Sequence, residues 1–226
     1  RYGLPYMLAT DVRLAAYGEL VWGVGRGLHH FCWVTIGTGY GGHLVLDGKL
    51  FGGIHGFAGN FGHIPLGLPD GRLCGCGLVG CVETYVAGPA IARFGQAAAD
   101  SGESPLLRDW AQGGPVSAEM VFRAEAAGDP AAATIITTMI ERVARNLAGV
   151  VTLLDLEMLV FGGGVVKASP TLLPRIDARI RANLMTDAAR RDLKVCIESF
   201  PNSALFGAAA YAFMKAGVPL EDGEAA

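Results

Sequence analysis

Four residues with metal-binding side chains fall inside one loop-like stretch, in the spacing His63-x10-Cys74-x-Cys76-x4-Cys81. Three thiols and an imidazole are the donor set that tetrahedral zinc prefers, and four protein ligands leave no open coordination position, so such a site is structural. Metal binding contributes roughly 10 kcal/mol or more to a segment that could not fold alone. That suits Gly52–Cys81, which is rich in Gly, Pro and Cys and lacks a hydrophobic period. The competing reading makes the cysteines small buried apolar residues and His63 a surface histidine. Three of the five cysteines crowd into eight positions, and the total is odd. This pattern argues against a disulfide framework and for a metal in a reducing, cytoplasmic compartment.

Two glycine turns follow apolar runs. Gly37-Thr38-Gly39-Tyr40-Gly41-Gly42 succeeds Phe31–Ile36, and Gly162-Gly163-Gly164 succeeds Met158–Phe161. Backbone amides without side chains can approach a phosphate closely. The first run lacks the Gly-Lys-Ser/Thr ending of a P-loop and leads into another strand, which excludes Walker and Rossmann loops. Either run alone reads equally as a plain turn; two in one chain favour a nucleotide. Asp11 stands where a strand gives way to a helix, a place for a carboxylate that takes a proton from a substrate hydroxyl, or for an ordinary N-cap. Glu83, two residues after Cys81, is either fixed near the metal loop or is a first-turn glutamate favoured by the helix dipole.

The elements that must hold these residues are legible in outline. Asp11 precedes a helical pattern from Val12 to about Trp22, after a strand-like run Pro5–Ala9. Phe31–Ile36 reads as a buried strand, and Leu44–Leu46 and Lys49–Phe51 as strands around the hairpin signal Asp47-Gly48. Helical patterns follow at about Glu83–Ala98, Ser117–Ala127 and Pro130–Leu154, the last with an apolar stripe through Ile135, Ile136, Met139, Ile140, Val143, Leu147 and Val150. Met158–Phe161 is a second buried strand, Ser169–Asn183 a helix, Lys194–Ser199 a strand and Ala204–Met214 a small-residue helix. The alternation makes the class α/β.

Composition narrows the function. The chain has 226 residues, 51% hydrophobic and 17% charged, which describes a folded globular protein. A formal charge of −3 gives no basic field for nucleic acid or an anionic membrane. No charge-free apolar run is long enough to span a bilayer. Arg1 stands where an initiator methionine is expected, so the sequence reads as beginning mid-protein, and the acidic stretch Glu221–Ala226 reads as a frayed tail.

Taken together these motifs resemble the ROK family of bacterial sugar kinases and sugar-responsive repressors, over about Pro5 to Tyr211. The segment Ala9-Thr10-Asp11-Val12-Arg13-Leu14-Ala15-Ala16 is similar to the one that carries the family's catalytic aspartate. Thr38-Gly39-Tyr40-Gly41-Gly42 resembles its second-lobe phosphate glycines, Gly59-Asn60-Phe61-Gly62-His63 its sugar-binding Glu-x-Gly-His element, and Cys74-Gly-Cys76-Gly-x-x-Gly-Cys81-Val-Glu83 its zinc signature. Phe161-Gly162-Gly163-Gly164 and Phe206-Gly207-Ala208-Ala209 resemble its nucleotide-lobe turns.

The resemblance implies an actin-like ATPase (ribonuclease H-like) lobe with a zinc-pinned loop within residues 52–83. Residues 1–216 would form the carboxy-terminal lobe, with 217–226 as tail and the amino-terminal lobe absent from this sequence. It further implies ATP with Mg²⁺, structural zinc on His63, Cys74, Cys76 and Cys81, and a hexose or amino-sugar substrate. Asp11 would be the general base; Thr10, Asn60, His63 and Glu83 would contact the sugar. Gly37, Thr38, Gly39, Gly41, Gly162, Gly163 and Gly164 would contact the nucleotide. A homodimer is expected by the same analogy.

Three features depart from the family pattern. Thr10 replaces an asparagine and Asn60 replaces a glutamate, so an amide has become a hydroxyl and an acceptor-only carboxylate an amide able to donate. The Asp-x-Gly-Gly-Thr loop of the amino-terminal lobe does not precede Pro5. The leading expectation is a hexose or N-acetylhexosamine kinase. The alternatives are a sugar-sensing repressor and a truncated, non-catalytic lobe.

Overall fold

The computed structural model describes residues 8–68 and 71–217. The expected run Pro5–Ala9 falls mostly outside these residues, and the acidic tail wholly so. The first helix, α1 (Asp11–Trp22), is capped by Thr10, whose hydroxyl oxygen accepts from Arg13 N at 3.4 Å. Asp11 is therefore the first helical residue and not the cap.

A meander follows, β1 (Phe31–Ile36), β2 (Tyr40–Leu46) and β3 (Lys49–Phe51). Its β2–β3 hairpin turns on Asp47 and Gly48, whose φ values of 52° and 69° are the pair of positive angles that a tight two-residue hairpin requires. The turn after β1 is shorter than expected: β2 begins at Tyr40, so Gly41 and Gly42 are strand residues.

The long loop, with one 3₁₀ turn at Phe61–His63, leads to α2 (Glu83–Val86), α3 (Gly88–Ser101), α4 (Pro105–Ala111), α5 (Ala118–Ala126) and α6 (Pro130–Leu154). Next come β4 (Met158–Gly162), α7 (Gly164–Ala168), α8 (Leu172–Ala182), α9 (Asp187–Asp192), β5 (Lys194–Ile197) and α10 (Ser203–Lys215).

The helix expected over Glu83–Ala98 is broken and the one expected over Ser169–Asn183 starts later, at Leu172, both beside a proline. Ala87 is extended before α3, where Pro89 has no N–H to continue α2. Ser169 is extended because it precedes Pro170, which separates α7 from α8. The short helices α4, α7 and α9 span too few residues to show a period, and the sequence reading missed them.

The sheet has the order β3-β2-β1-β4-β5, with β1 antiparallel to β2 but parallel to β4, and β4 parallel to β5. Alternation along β1 sorts the core into two layers. Cys32, Val34 and Ile36 join Leu159, Phe161 and the buried stripe of α6 on one face, while Phe31 and Trp33 join Ala15, Ala16 and Val160 on the other. Of the expected stripe, Ile135 is only partly buried.

On the second face α1 and α10 cross at glycines. A Cβ on Gly207 would lie 1.6 Å from Leu14 O, and one on Gly18 would lie 2.6 Å from Ser203 O. Beside the crossing, the fully buried Glu19 carboxylate accepts from Ser199 N, Ser199 Oγ and Ser203 Oγ at 2.7–2.8 Å and from Val24 N at 3.0 Å. A buried charge is tolerable only when its acceptor sites are filled in this way. The network locks the frame of α1, and with it Asp11, to the β5–α10 turn.

His43 on β2 is not satisfied in this way. It is buried, and its Nε2 has no hydrogen-bond partner. Burial, and then the charge of Arg13, pull its pKa down to about 4. The folded pKa lies below the ordinary value of 6.5, so between these limits the unfolded chain takes up a proton that the folded chain refuses. Stability is unaffected by His43 above pH 6.5 and falls as the pH drops toward 4. The full window corresponds to about 3 kcal/mol. Urea titrations of wild type and His43→Gln across this range should show a smaller acid loss in the variant; parallel curves would contradict the assignment.

Candidate active site and metal centre

Parallel pairing aligns Thr35 of β1 with Gly162 of β4, so both strands end at the same edge of the sheet. Their turns consequently abut. A Cβ on Gly37 would sit 3.7 Å from Gly164 N, and one on Gly163, whose φ is 95°, would sit 2.5 Å from Ile36 O. Gly163 has to be a glycine for both reasons.

The abutting turns floor a cleft of about 1140 Å³. Gly37, Thr38, Gly39, Gly41, Gly163 and Gly164 line it, and so do Thr10, Asp11, Asn60, His63 and Glu83. Gly162 is not among the lining residues: it ends β4, with Trp33 and Glu198 packed against it. The far end of the cleft is walled by residues the sequence reading did not single out, including Pro89, Ala92, Ser117, Glu119, Phe122 and Val165. Ser117 is legible only as the N-cap of α5, accepting from Met120 N at 3.1 Å. Nothing local announces its place beside a glycine turn.

The polar groups of the cleft differ in how far they are committed. The Asp11 side chain is exposed and accepts from Val12 N at 2.9 Å. Asn60 Nδ2 donates to Phe57 O at 2.9 Å, which leaves its carbonyl oxygen as the acceptor it offers. Glu83 occupies the first turn of α2; its Oε2 accepts from Tyr40 N at 2.9 Å and its Oε1 from the Cys74 thiol at 3.7 Å. Both sequence readings of Glu83 therefore hold, as helix first-turn carboxylate and as neighbour of the metal loop. Tyr40 is fixed from its other end too, its hydroxyl donating to Asn146 Oδ1 at 2.9 Å.

The loop after the cleft folds as a tight knuckle. Cys74 N donates to Leu78 O, Gly77 N to Cys74 O and Gly80 N to Arg72 O, all at 2.7–2.9 Å. Its apolar side chains contribute little to holding it, since Leu73, Leu78 and Val79 are 75%, 52% and 56% exposed. A different cross-link is at hand: the donor atoms of His63, Cys74, Cys76 and Cys81 lie within 4.8 Å of one another. The separations Cys76–Cys81 and Cys74–His63 Nδ1 are both 3.6 Å. The edge of a tetrahedron with metal–sulfur bonds near 2.3 Å is about 3.8 Å, so the four side chains fit zinc.

Burial, with hydrogen bonding from Cys76 and Cys74, pushes the Cys81 thiol up to about 12. The backbone N–H of Leu78 pulls exposed Cys76 below its ordinary value. A dication supplies the charge that makes buried thiols thiolate ligands.

Known proteins of one family share this fold. The ROK family model matches residues 1–215. A glucokinase of Halalkalibacterium halodurans is 35% identical over 180 residues, covering 79% of this chain and 54% of that protein, so the chain spans about half the length of such curated relatives. The crystal structure of a ROK family glucokinase from Streptomyces griseus in complex with glucose and AMPPNP superposes with a TM-score of 0.81 at 31% identity, covering 93% of this chain and 69% of that one. A ROK family transcriptional regulator, homologous to the E. coli MLC protein, superposes with a TM-score of 0.75 at 32% identity, covering 93% of this chain and 53% of the other. The fold is that of the actin-like ATPase sugar kinases of this family. Among the described residues no helix is long and apolar enough to cross a membrane.

The metal reading has a direct check. Elemental analysis should find about one zinc per chain. Stripping it, or replacing Cys81 by Ser, should open the 71–80 knuckle to protease and lower Tm, at roughly 2–4 °C per kcal/mol lost. A metal-free protein with a protease-resistant loop would contradict it.

Proposed function

The chain belongs to the ROK family, and on that premise we propose that it is the carboxy-terminal lobe of an ATP-dependent sugar kinase. The proposed substrate is a hexose or an N-acetylhexosamine. The observation that carries this reading is the state of Asp11. Thr10 takes over the capping of α1, so the carboxylate stands exposed in the cleft that also contains both glycine turns. A regulator would need the sugar pocket but no such base.

In this reading Asp11 accepts the proton of a sugar hydroxyl, most often that on C6, as the oxygen forms its bond to the γ-phosphorus. The bond from that phosphorus to the bridging oxygen breaks, and ADP leaves with the electron pair. Little covalent chemistry falls to the protein, so alignment and charge neutralisation dominate. Amides at Gly39, Gly163 and Gly164 supply donors for phosphate oxygens, while the Gly37 N–H is given to Gly39 O at 2.9 Å and shapes the turn; Mg²⁺ arriving with ATP supplies positive charge. Zinc on His63 and the three cysteines would supply a structural cross-link. His63 would present its remaining edge to sugar hydroxyls.

Glu83 can still accept from the sugar, because each carboxylate oxygen takes more than one hydrogen bond. Thr10 and Asn60 fall in this pocket and would alter which sugar is chosen. The chain spans 54% of the glucokinase relative, and we propose that an amino-terminal lobe completes the nucleotide cleft.

The test is phosphorylation of a panel of hexoses and N-acetylhexosamines by the full-length protein, with Asp11→Asn as control. The variant should keep its fold and its sugar affinity but lose about 10²–10⁴-fold in kcat. A sugar that raises Tm without being phosphorylated would instead favour a sensor, and unchanged turnover in Asp11→Asn would remove the assigned base.

A further inference from the structure

Cys81 and Glu83 are two residues apart, and the backbone between them is already wound. Thr84 N donates to Cys81 O at 3.0 Å and Tyr85 N to Val82 O at 2.9 Å. Anchoring Cys81 therefore anchors the start of α2. The histidine arm of the metal set is tied to the same point, since Val82 N donates to Ile64 O at 3.1 Å.

From that start Glu83 reaches back to the glycine turn. Its Oε2 accepts from Tyr40 N at 2.9 Å and lies 2.8 Å from where a Cβ on Gly39 would be, so the carboxylate fills the space that a side chain there would need. At the junction of α2 and α3, Gly88 N donates to Gly37 O at 2.8 Å. The turn is thus held at both its ends by one short segment that begins at a metal ligand. Glycines have more conformational freedom to lose than any other residue. Within the turn Gly37 N donates to Gly39 O at 2.9 Å, and the outside anchors add to the order that this bond provides.

We propose that Glu83 is a positioning residue that transmits the state of the metal centre to the Gly37–Tyr40 turn, so that metal occupancy sets how firmly the phosphate-facing amides are held. The inference rests on the metal reading of the tetrad and adds to it a coupling to a site the metal does not touch. It is independent of which sugar is used and of whether the chain is catalytic.

The test is hydrogen–deuterium exchange of the full-length protein, loaded with Zn²⁺ and after chelation, followed at the Tyr40 amide and in β4 as a control. In wild type, metal removal should speed exchange at Tyr40 by about tenfold or more while β4 is unmoved. Cys76→Ser, which leaves α2 untouched, should do the same. Glu83→Ala should exchange fast with or without metal, whereas Glu83→Gln, whose carbonyl still accepts, should behave as wild type. ADP affinity should weaken in parallel with Tyr40 exchange.

An unchanged Tyr40 rate when the 71–80 loop loosens would overturn the proposal. So would metal sensitivity that survives in Glu83→Ala, equal acceleration in β4, or a protein that takes up no Zn²⁺. Failure of the kinase reading is distinguishable: it shows as absent sugar turnover with the exchange coupling intact.

Discussion

The parallel pairing of β1 with β4 is the constraint on which the rest depends. β1 is hydrogen-bonded on one side to an antiparallel neighbour that follows it after a three-residue turn, and on the other to a parallel strand more than a hundred residues later. A parallel partner requires a crossover. Here the crossover contains the metal loop and helices α2 to α6, which pack on one face of the sheet. Because parallel strands end at the same edge, the turns after β1 and β4 are forced together. Their contact is close enough to require a glycine at 163. The cleft is the geometric consequence.

A second requirement is to hold a long loop without a core of its own. The segment between β3 and α2 exposes much of its apolar surface, and backbone bonds such as Leu66 N to Gly80 O and Val82 N to Ile64 O tie it mainly to itself. Four clustered donors could hold one metal ion, which would fix the loop and the start of α2 together. The opposite face is held differently, by close helix crossing at Gly18 and Gly207 and by the saturated carboxylate of Glu19. Asp11 sits at the start of a helix fixed by buried polar bonds, and Glu83 at the start of one that follows the cysteine loop directly.

The parts legible in sequence were those whose signal is local. The strands β1 and β4 are short apolar runs ending in glycine, α6 carries an apolar stripe along its length, and Asp47-Gly48 dictates its hairpin. The clustering of His63, Cys74, Cys76 and Cys81 was legible because their spacing within one loop is itself a local property. What failed depended on long-range placement. Gly162, Gly163 and Gly164 look alike in sequence, yet only the last two line the cleft, because β4 continues through Gly162. Ser117, Glu119 and Phe122 belong to the cleft through the packing of α5 against α3 and α6, which no nearby motif announces. Whether Asp11 or Thr10 caps α1 is a matter of one residue, and only the fold decides it.

The central claim is that the two abutting glycine turns seat the phosphates of a nucleotide. The most direct measurement is an NMR titration of glycine-¹⁵N-labelled full-length protein with a non-hydrolysable ATP analogue and Mg²⁺. The account predicts saturable binding with the largest amide shifts at Gly39, Gly163 and Gly164. Saturable binding that leaves those three amides unmoved, or no binding at all, would contradict it.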